Sequence, residues 1–492
     1  VRRWGVLAVL AASLLIVAMD ATILNVALPS LIDDMRPGAL AQLWIIDVYG
    51  LVLGGLLVTA GAVGDRWGRR RLFLTGLAVF GAASIAAALS AQPWQLIAAR
   101  VLLGCGGAMI MPSTLSLIRH VFADARERAT AIAVWAAAAG VGVAVGPVLG
   151  GTLVEAFGWS AAFWVNVPVI LVTFTMGACL LPESRTPSSV PLNLFDVPLS
   201  IAGMVALVGG VKQLTKSGLW STAPLLLLAG IALLVWFVRR QLRSADPLLD
   251  VRLFAGRPFT AAALVTFVGM MGIGAALYLL SLWMQYVEGY SPLRAGLHMS
   301  PLAVALLVSS LATPRLTAKF GVRTVLAAGL VALVLGFAAI ALAQGGLSYP
   351  VVAFALVTFG IGDGMGITAS ASVMLAAAPP ERSGGAAAVS ETAYELGVAF
   401  GVALLGSVTA VAYRHFLDSV PTPLIKDSIG SAIDHAADVG GPAGEHIARV
   451  AREAYVDALH LTAGVSAVLI AITLGLVLAL VPRTFQASGS GH

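Results

Sequence analysis

Six ionisable side chains inside long apolar stretches of this sequence stand out as candidates: Asp20, Asp47, Arg100, Asp363, Glu391 and Glu395. Each costs at least about 2.5 to 3.5 kcal/mol at the centre of a membrane-spanning helix, which makes it a functional candidate by default. Glu391 and Glu395 stand one helical turn apart, so both carboxyls share a face, and no basic residue accompanies them in that stretch. Two neighbouring anions in a low dielectric do not both ionise cheaply, so one should hold a proton until a cation or a conformational change displaces it. The chemistry implied is an exchange of protons for positively charged cargo. A carboxylate pair solvated in an inner vestibule is the plainer alternative.

The other candidates carry different chemistry. Asp20, with Thr22 and Asn25, gives a polar face to an apolar helix ending at Pro29, suited to protonation or to a hydrogen bond with a neighbouring helix. Trp44 and Asp47 are three residues apart, so an aromatic ring and an anion can meet one organic cation. Taken alone, Trp44 reads equally as an interfacial anchor. Asp363 sits in the run GIGDGMG at 360–366, whose glycines either loosen the helix or admit close packing. Arg100 requires an anion or carbonyl partner at depth, as a structural pair or as a proton relay.

The elements that carry these groups are transmembrane helices. The 492 residues are 59% hydrophobic and only 11% charged, against roughly a quarter charged in ordinary globular chains. A soluble fold is excluded on that balance. About 20 apolar residues cross the hydrocarbon core, and fourteen stretches qualify, so the fold class expected is an all-α polytopic membrane protein. Lys and Arg concentrate in loops on the side of the N-terminus, which places both termini in the cytoplasm. The loops Arg66-Trp67-Gly68-Arg69-Arg70 and Lys319-Phe320-Gly321-Val322-Arg323 share the pattern basic, aromatic, Gly, x, Arg. Such a repeat suits two six-helix halves related by an axis along the membrane normal. The expected organisation is a first bundle over 1–185, two inserted helices over 186–257 and a second bundle over 258–482. A long external loop, 413–460, precedes the last span at 461–481. Within it 448–459 suits an amphipathic helix, and a solvated surface loop is favoured over a lid. The chain opens on Val, and residues 483–492 resemble a linker remnant.

Several activities lack sequence support. The net charge of +5 is dispersed in short clusters, which argues against nucleic acid. No lysine follows a glycine as a P-loop requires, and H-E-x-x-H and G-x-S-x-G are missing. His415, His435, His446 and His460 lack metal-ligand spacing, and Cys105 and Cys179 read as small buried residues. No metal, cofactor or ATP site is expected.

Four motifs together resemble the major facilitator superfamily over residues 4–482, and within it the fourteen-span drug:proton antiporters that export quaternary ammonium compounds and other drugs. Residues 19–29, MDATILNVALP, look like the first-span motif of that group, so Asp20 inherits the role of a protonatable acid. Residues 61–71, GAVGDRWGRRR, are similar to the superfamily loop motif, implying an inner-gate latch of Gly61, Asp65, Arg66, Gly68, Arg69 and Arg70. Its second-half copy has Ala318 in place of the acid. Arg100 opens RVLLG, which resembles the span-four proton-coupling motif with Leu103 where glutamine is usual. GPVLGG at 146–151 matches the antiporter motif, carried by Gly146, Pro147, Gly150 and Gly151, and favours export over uptake. Span five also holds Gly142, Gly146 and Gly150 at fourfold spacing, which allows tight helix contact.

The resemblance implies two helical bundles of the major facilitator fold rocking about a central acidic and aromatic cavity. It implies proton-driven export of small lipophilic cations across a bacterial cytoplasmic membrane, by a monomer surrounded by lipid. Two other readings stay open. One is an exporter of an endogenous amphiphile such as a lipid, siderophore or antibiotic. The other is a non-transporting receptor or scaffold using the loop 413–460.

Overall fold

The computed structural model describes residues 2–122, 124–183, 195–217, 221–244, 247, 249, 251–377, 383–417 and 423–482, apart from some side chains within them, Asp65 among these. Inside a bilayer every backbone donor and acceptor must be satisfied within the chain, so long apolar runs become helices. The helices are α1 (Arg2–Met35), α2 (Ala39–Trp67), α3 (Arg69–Ala88), α4 (Pro93–Val121), α5 (Ala125–Phe157), α6 (Ala161–Trp164) and α7 (Asn166–Leu180). They continue with α8 (Asp196–Ser217), α9 (Ala223–Arg243), α10 (Arg257–Leu282), α11 (Pro292–Phe320), α12 (Val322–Ala341), α13 (Tyr349–Ala377), α14 (Ser383–Phe416), α15 (Ile429–Val439) and α16 (Gly441–Leu480). Among the described residues thirteen helices are long and apolar enough to cross a membrane, or fourteen when the two arms of α5, bent by 40°, count as one span. No strand occurs among the described residues.

The packing is two-fold. In the first half α1 packs on α5, α2 and α3 on α4, and α3 on α7. In the second half α10 packs on α14, α11 and α12 on α13, and α12 on α16. Exchanging the halves maps each contact onto its counterpart. The halves meet where α5 faces α11 and where α2 faces α14. The repeated loops turn on glycines with φ of 115° at Gly68 and 81° at Gly321, a region that residues with a Cβ avoid.

The α8–α9 hairpin belongs to neither half. Glycines 203 and 230 let its two helices approach closely, because an added Cβ on either would meet the partner helix within 3.0 Å. Its first helix lies against α2 and α14, while α9 turns Leu225, Leu228, Ile231 and Val235 outward, as a lipid-facing surface requires.

The segment expected as a solvated loop is built differently. Helix α14 runs to Phe416, and α16 begins at Gly441, so the amphipathic stretch 448–459 is the first part of the last long helix. Between them α15 caps the end of the bundle where α1 finishes, called the distal face below. Ile429 and Ala432 are buried there, Ala39 N–H donates to the Asp427 carboxylate at 3.3 Å, and Arg36 lies 4.0 Å from Asp434. The surface-loop expectation fails because α15 buries its apolar face on α1 and on the helix ends beside it. The tail 483–492 lies outside the described residues.

Candidate functional site

The sequence-derived charges divide into two ion pairs and a carboxylate group. Asp20, in the middle of α1, is fully buried, and Arg100 of α4 donates from Nη1 to its Oδ2 at 2.7 Å. Asn166, at the start of α7, donates from Nδ2 to Asp20 Oδ1 at 3.0 Å and to Ser84 Oγ of α3 at 3.3 Å. Arg100 Nε also donates to the Ile45 carbonyl at 3.1 Å, and its guanidinium stacks 4.5 Å from the Tyr49 ring centroid. The requirement for a partner at depth is thus met by an anion and a carbonyl together. A buried pair of this kind is tolerable only because further hydrogen bonds satisfy both ions. With Asn166 and Ser84 it ties five helices of the first half, α1, α2, α3, α4 and α7, to one point.

Asp47 is paired as well, with a partner the sequence reading passed over. Lys212 of α8 places Nζ 2.6 Å from Asp47 Oδ2, both side chains being fully enclosed, and the same ammonium lies 4.1 Å from the Trp44 ring centroid. The aromatic face and anion expected to receive an organic cation do receive a cation, and it is part of the chain. The signal was present: Lys212 is an ionisable residue inside the apolar run 199–214. Asn166 was missed because a lone amide scarcely perturbs hydropathy.

Asp363, Glu391 and Glu395 form no ion pair among the described residues. Asp363 is 4% exposed and Glu395 8%, so both are removed from bulk water, while Glu391 is half-buried. The glycines beside Asp363 serve close packing and do not loosen the helix, which is continuous from Tyr349 to Ala377. An added Cβ at Gly360 or Gly364 would meet backbone carbonyls of α11, and one at Gly362 a carbonyl of α12.

Glu395 sits at the junction of the halves. Its Cβ would lie 3.1 Å from a Cβ added to Gly54 of α2, and its Oε2 3.7 Å from one added to Gly50. Tyr49, one residue before Gly50, stacks its ring against the Arg100 guanidinium and donates its hydroxyl to the Val17 carbonyl at 3.2 Å. Helix α2 therefore carries, at successive positions, Tyr49 against the Arg100–Asp20 pair of the first half and Gly50 against Glu395 of the second.

The motif glycines of α5 have a packing role. Added Cβ atoms at Gly146 and Gly150 would run into Thr22 and Ile23 of α1, and one at Gly151 into the Pro292 carbonyl of α11. Pro147 is buried in the same helix and presents its carbonyl to Gly296. In the loop motif Arg70 Nη2 donates to the Ala178 carbonyl at 2.6 Å, and Arg71 lies 3.7 Å from Glu183. Gly61 and Gly68 hold α2 near Pro112 and Glu183, whereas Arg66 and Arg69 are half-buried at the helix ends. The side chain of Asp65 lies outside the described residues.

Hydrogen bonds between the halves gather at the distal face. Ser281 donates to the Asn25 carbonyl at 2.5 Å, Tyr286 to Asp33 at 2.8 Å, and the Leu293 amide to Glu155 at 3.1 Å. Thr392 to the Gly54 carbonyl, at 3.5 Å, is the one described link deeper in the bundle.

The sequence profile described as Major Facilitator Superfamily matches residues 10–402. The chain is 41% identical over 476 residues to the multidrug efflux pump LfrA of Mycolicibacterium smegmatis, covering 95% of this chain and 94% of that protein. It is 34% identical over 466 residues to the methyl viologen resistance protein SmvA of Salmonella typhimurium, covering 92% and 93%. Its fold is similar to the crystal structure of a bacterial homolog of the human lysosomal transporter Spinster in an inward-facing, unoccupied conformation. That likeness has a TM-score of 0.70 at 16% identity over 97% of this chain and 98% of that one.

Proposed function

The chain belongs to the Major Facilitator Superfamily, and from that premise we propose that it is a proton-coupled antiporter exporting lipophilic, cationic drugs. The observation that carries this reading is the pair of buried carboxyls at Asp363 and Glu395, with half-buried Glu391 one turn before Glu395, none of which forms an ion pair among the described residues. Carboxyls withdrawn from water are chemically able to hold either a proton or a cation, and exchange of one for the other is antiport. Relatives named as a multidrug efflux pump and a methyl viologen resistance protein support drugs as the cargo class, and methyl viologen is an organic dication.

On this reading coupling works as follows. Glu395 lies on α14 against α2, across the seam on which two rocking halves would move. Cargo entering beside Glu391 and Glu395 displaces their proton, and rocking then exposes the loaded face to the other side. The Asp20–Arg100 pair stands on α2 through Ile45 and Tyr49, close in sequence to Gly50 and Gly54 where Glu395 packs, so movement at that seam reaches it. The membrane potential adds about 2.3 kcal/mol per elementary charge per 100 mV. This scheme needs no nucleotide, metal or second subunit. The clustering of Lys and Arg in loops on the N-terminal side supports both termini in the cytoplasm, and relatives from Mycolicibacterium and Salmonella support a bacterial cytoplasmic membrane.

The test is a flux assay in proteoliposomes of the purified chain, with mono- and dicationic dyes and an imposed pH gradient. Dye movement should follow the gradient and collapse with a protonophore. Dye movement indifferent to the gradient would end the antiport reading. Transport confined to uncharged or anionic amphiphiles would replace the cargo class.

A further inference from the structure

On the exporter reading just given, we propose that Lys212 is a tethered cation occupying a cargo seat made by Trp44 and Asp47, and that cargo and Lys212 hold this seat in alternation.

Three observations carry the assignment. The seat has the chemistry of an organic-cation site, an indole face beside a carboxylate, and the Lys212 ammonium takes both interactions at 4.1 and 2.6 Å. The helix is shaped to admit the indole: Gly209 lies one turn before Lys212, and a Cβ added there would stand 3.4 Å from Trp44 Cζ2. The lysine also arrives on α8, which stands outside both halves but touches α2 of the first and α14 of the second. A structural pin within one half would need no such position.

The physical consequence is competition. A carboxylate enclosed in the membrane without a counter-ion is costly, so while it is ionised Asp47 keeps a cation, either Lys212 or cargo. When cargo takes the seat, the ammonium has a route out. Five residues separate Lys212 from the end of α8 at Ser217, a distance of about 7 to 8 Å, and its four-carbon stem can snorkel toward that end. Cargo then binds with an apparent affinity reduced by the fraction of time Lys212 occupies the seat. Lys212 thereby sets which cations are retained: those that outbid an ammonium over an indole displace it, and weakly bound ones do not.

The experiment measures equilibrium binding of radiolabelled tetraphenylphosphonium to the purified full-length protein in lipid nanodiscs. Lys212→Met, which keeps volume and removes charge, should bind the probe roughly tenfold tighter than the unaltered chain, within the usual range of site couplings. Asp47→Asn should erase the gain, so that the double variant binds no tighter than Asp47→Asn alone. Should Lys212→Met fail to fold, Lys212→Arg serves: its fork holds a carboxylate more firmly and should weaken probe binding several-fold. Unchanged or weaker binding in Lys212→Met, or unchanged binding in Lys212→Arg, overturns the proposal in favour of a structural pin. If the unaltered chain moves the probe along a pH gradient while the variants behave as a pin predicts, only this proposal falls. If the unaltered chain neither binds nor moves any cation, the exporter reading falls first and takes this one with it.

Discussion

Arg70 and Arg323 make the same contact in the two halves of the molecule: each donates from Nη2, at 2.6 Å, to a carbonyl in the last turn of the helix that ends its half, Ala178 in α7 and Leu478 in α16. Carbonyls in a final turn have no partner within their own helix, and the helix dipole places partial negative charge there. A guanidinium satisfies both at once. The repeated basic loops are therefore two copies of one device, which staples the third helix of each half to its last.

Removing either staple should destabilise its own half. Arg70→Ala and Arg323→Ala should each cost about 1 kcal/mol, with the larger loss at Arg70, whose bond is part-buried where that of Arg323 is exposed. The sites lie in separate halves and share no partner, so the double variant should show the sum. Thermal melts followed by tryptophan fluorescence check this. A strongly non-additive double variant would mean that the two loops touch.

The Asp20–Arg100 pair should behave as one unit. Removing one member of a buried pair leaves the other uncompensated, at a cost of about 3 to 5 kcal/mol. Asp20→Asn is the milder change, since an amide still accepts from Arg100, and the protein should insert but lose proton-coupled cation export. Arg100→Gln should melt lower, and the double variant should cost less than the two single losses added. Melting together with pH-gradient-driven dye uptake in everted vesicles tests both halves of the claim. Uptake unchanged in Asp20→Asn would remove Asp20 from the coupling path.

How far the sequence reached follows from what hydropathy registers. Helix existence and the two-fold plan were legible, since an apolar run of 20 residues has one outcome in lipid and the Arg70 and Arg323 loops carry their own repeat. Asp20 and Arg100 stood out as charges at depth, but their pairing joins helices 80 positions apart and nothing local encodes it. Lys212 was within reach, as a charge inside a recognised apolar run, and only its occupancy of the Trp44–Asp47 seat needed coordinates. Asn166 and Ser84 were not, because neutral polar groups are common in spans. In the segment 413–460, polar composition suggested solvent, while burial of Ile429 and Ala432 depends on a surface that only the assembled helices provide.

Gly151 controls a contact between the halves rather than within one. A methyl there would stand 2.7 Å from the Leu293 Cα and closer still to the Pro292 carbonyl, so α5 and α11 must separate to admit it. Gly151→Ala should loosen the distal closure, seen as a longer spin-label distance between the distal ends of those helices, and should slow export with little change in cargo binding. Gly140→Ala, on the same helix but with open space around it, is the control and should be neutral or slightly stabilising. Equal effects at both positions would assign the loss to helix propensity and not to the contact.

Glu395 should discriminate cargo by charge. It is 8% exposed and set against α2, with Glu391 one turn earlier and half-buried, so a dication can engage two carboxyls where a monocation needs one. Of the two anions Glu395, withdrawn from water, is the less screened and holds its share of the charge more strongly. Glu395→Gln should therefore weaken a dicationic dye by roughly tenfold and a monocationic dye by much less, taking one lost charge-assisted contact as about 1.5 kcal/mol. Glu391→Gln should act in the same direction with a smaller effect, because water reaches its side chain. Binding titrations with a matched pair of dyes decide the matter: equal loss for both charge classes would show that the two carboxyls do not share one cargo molecule.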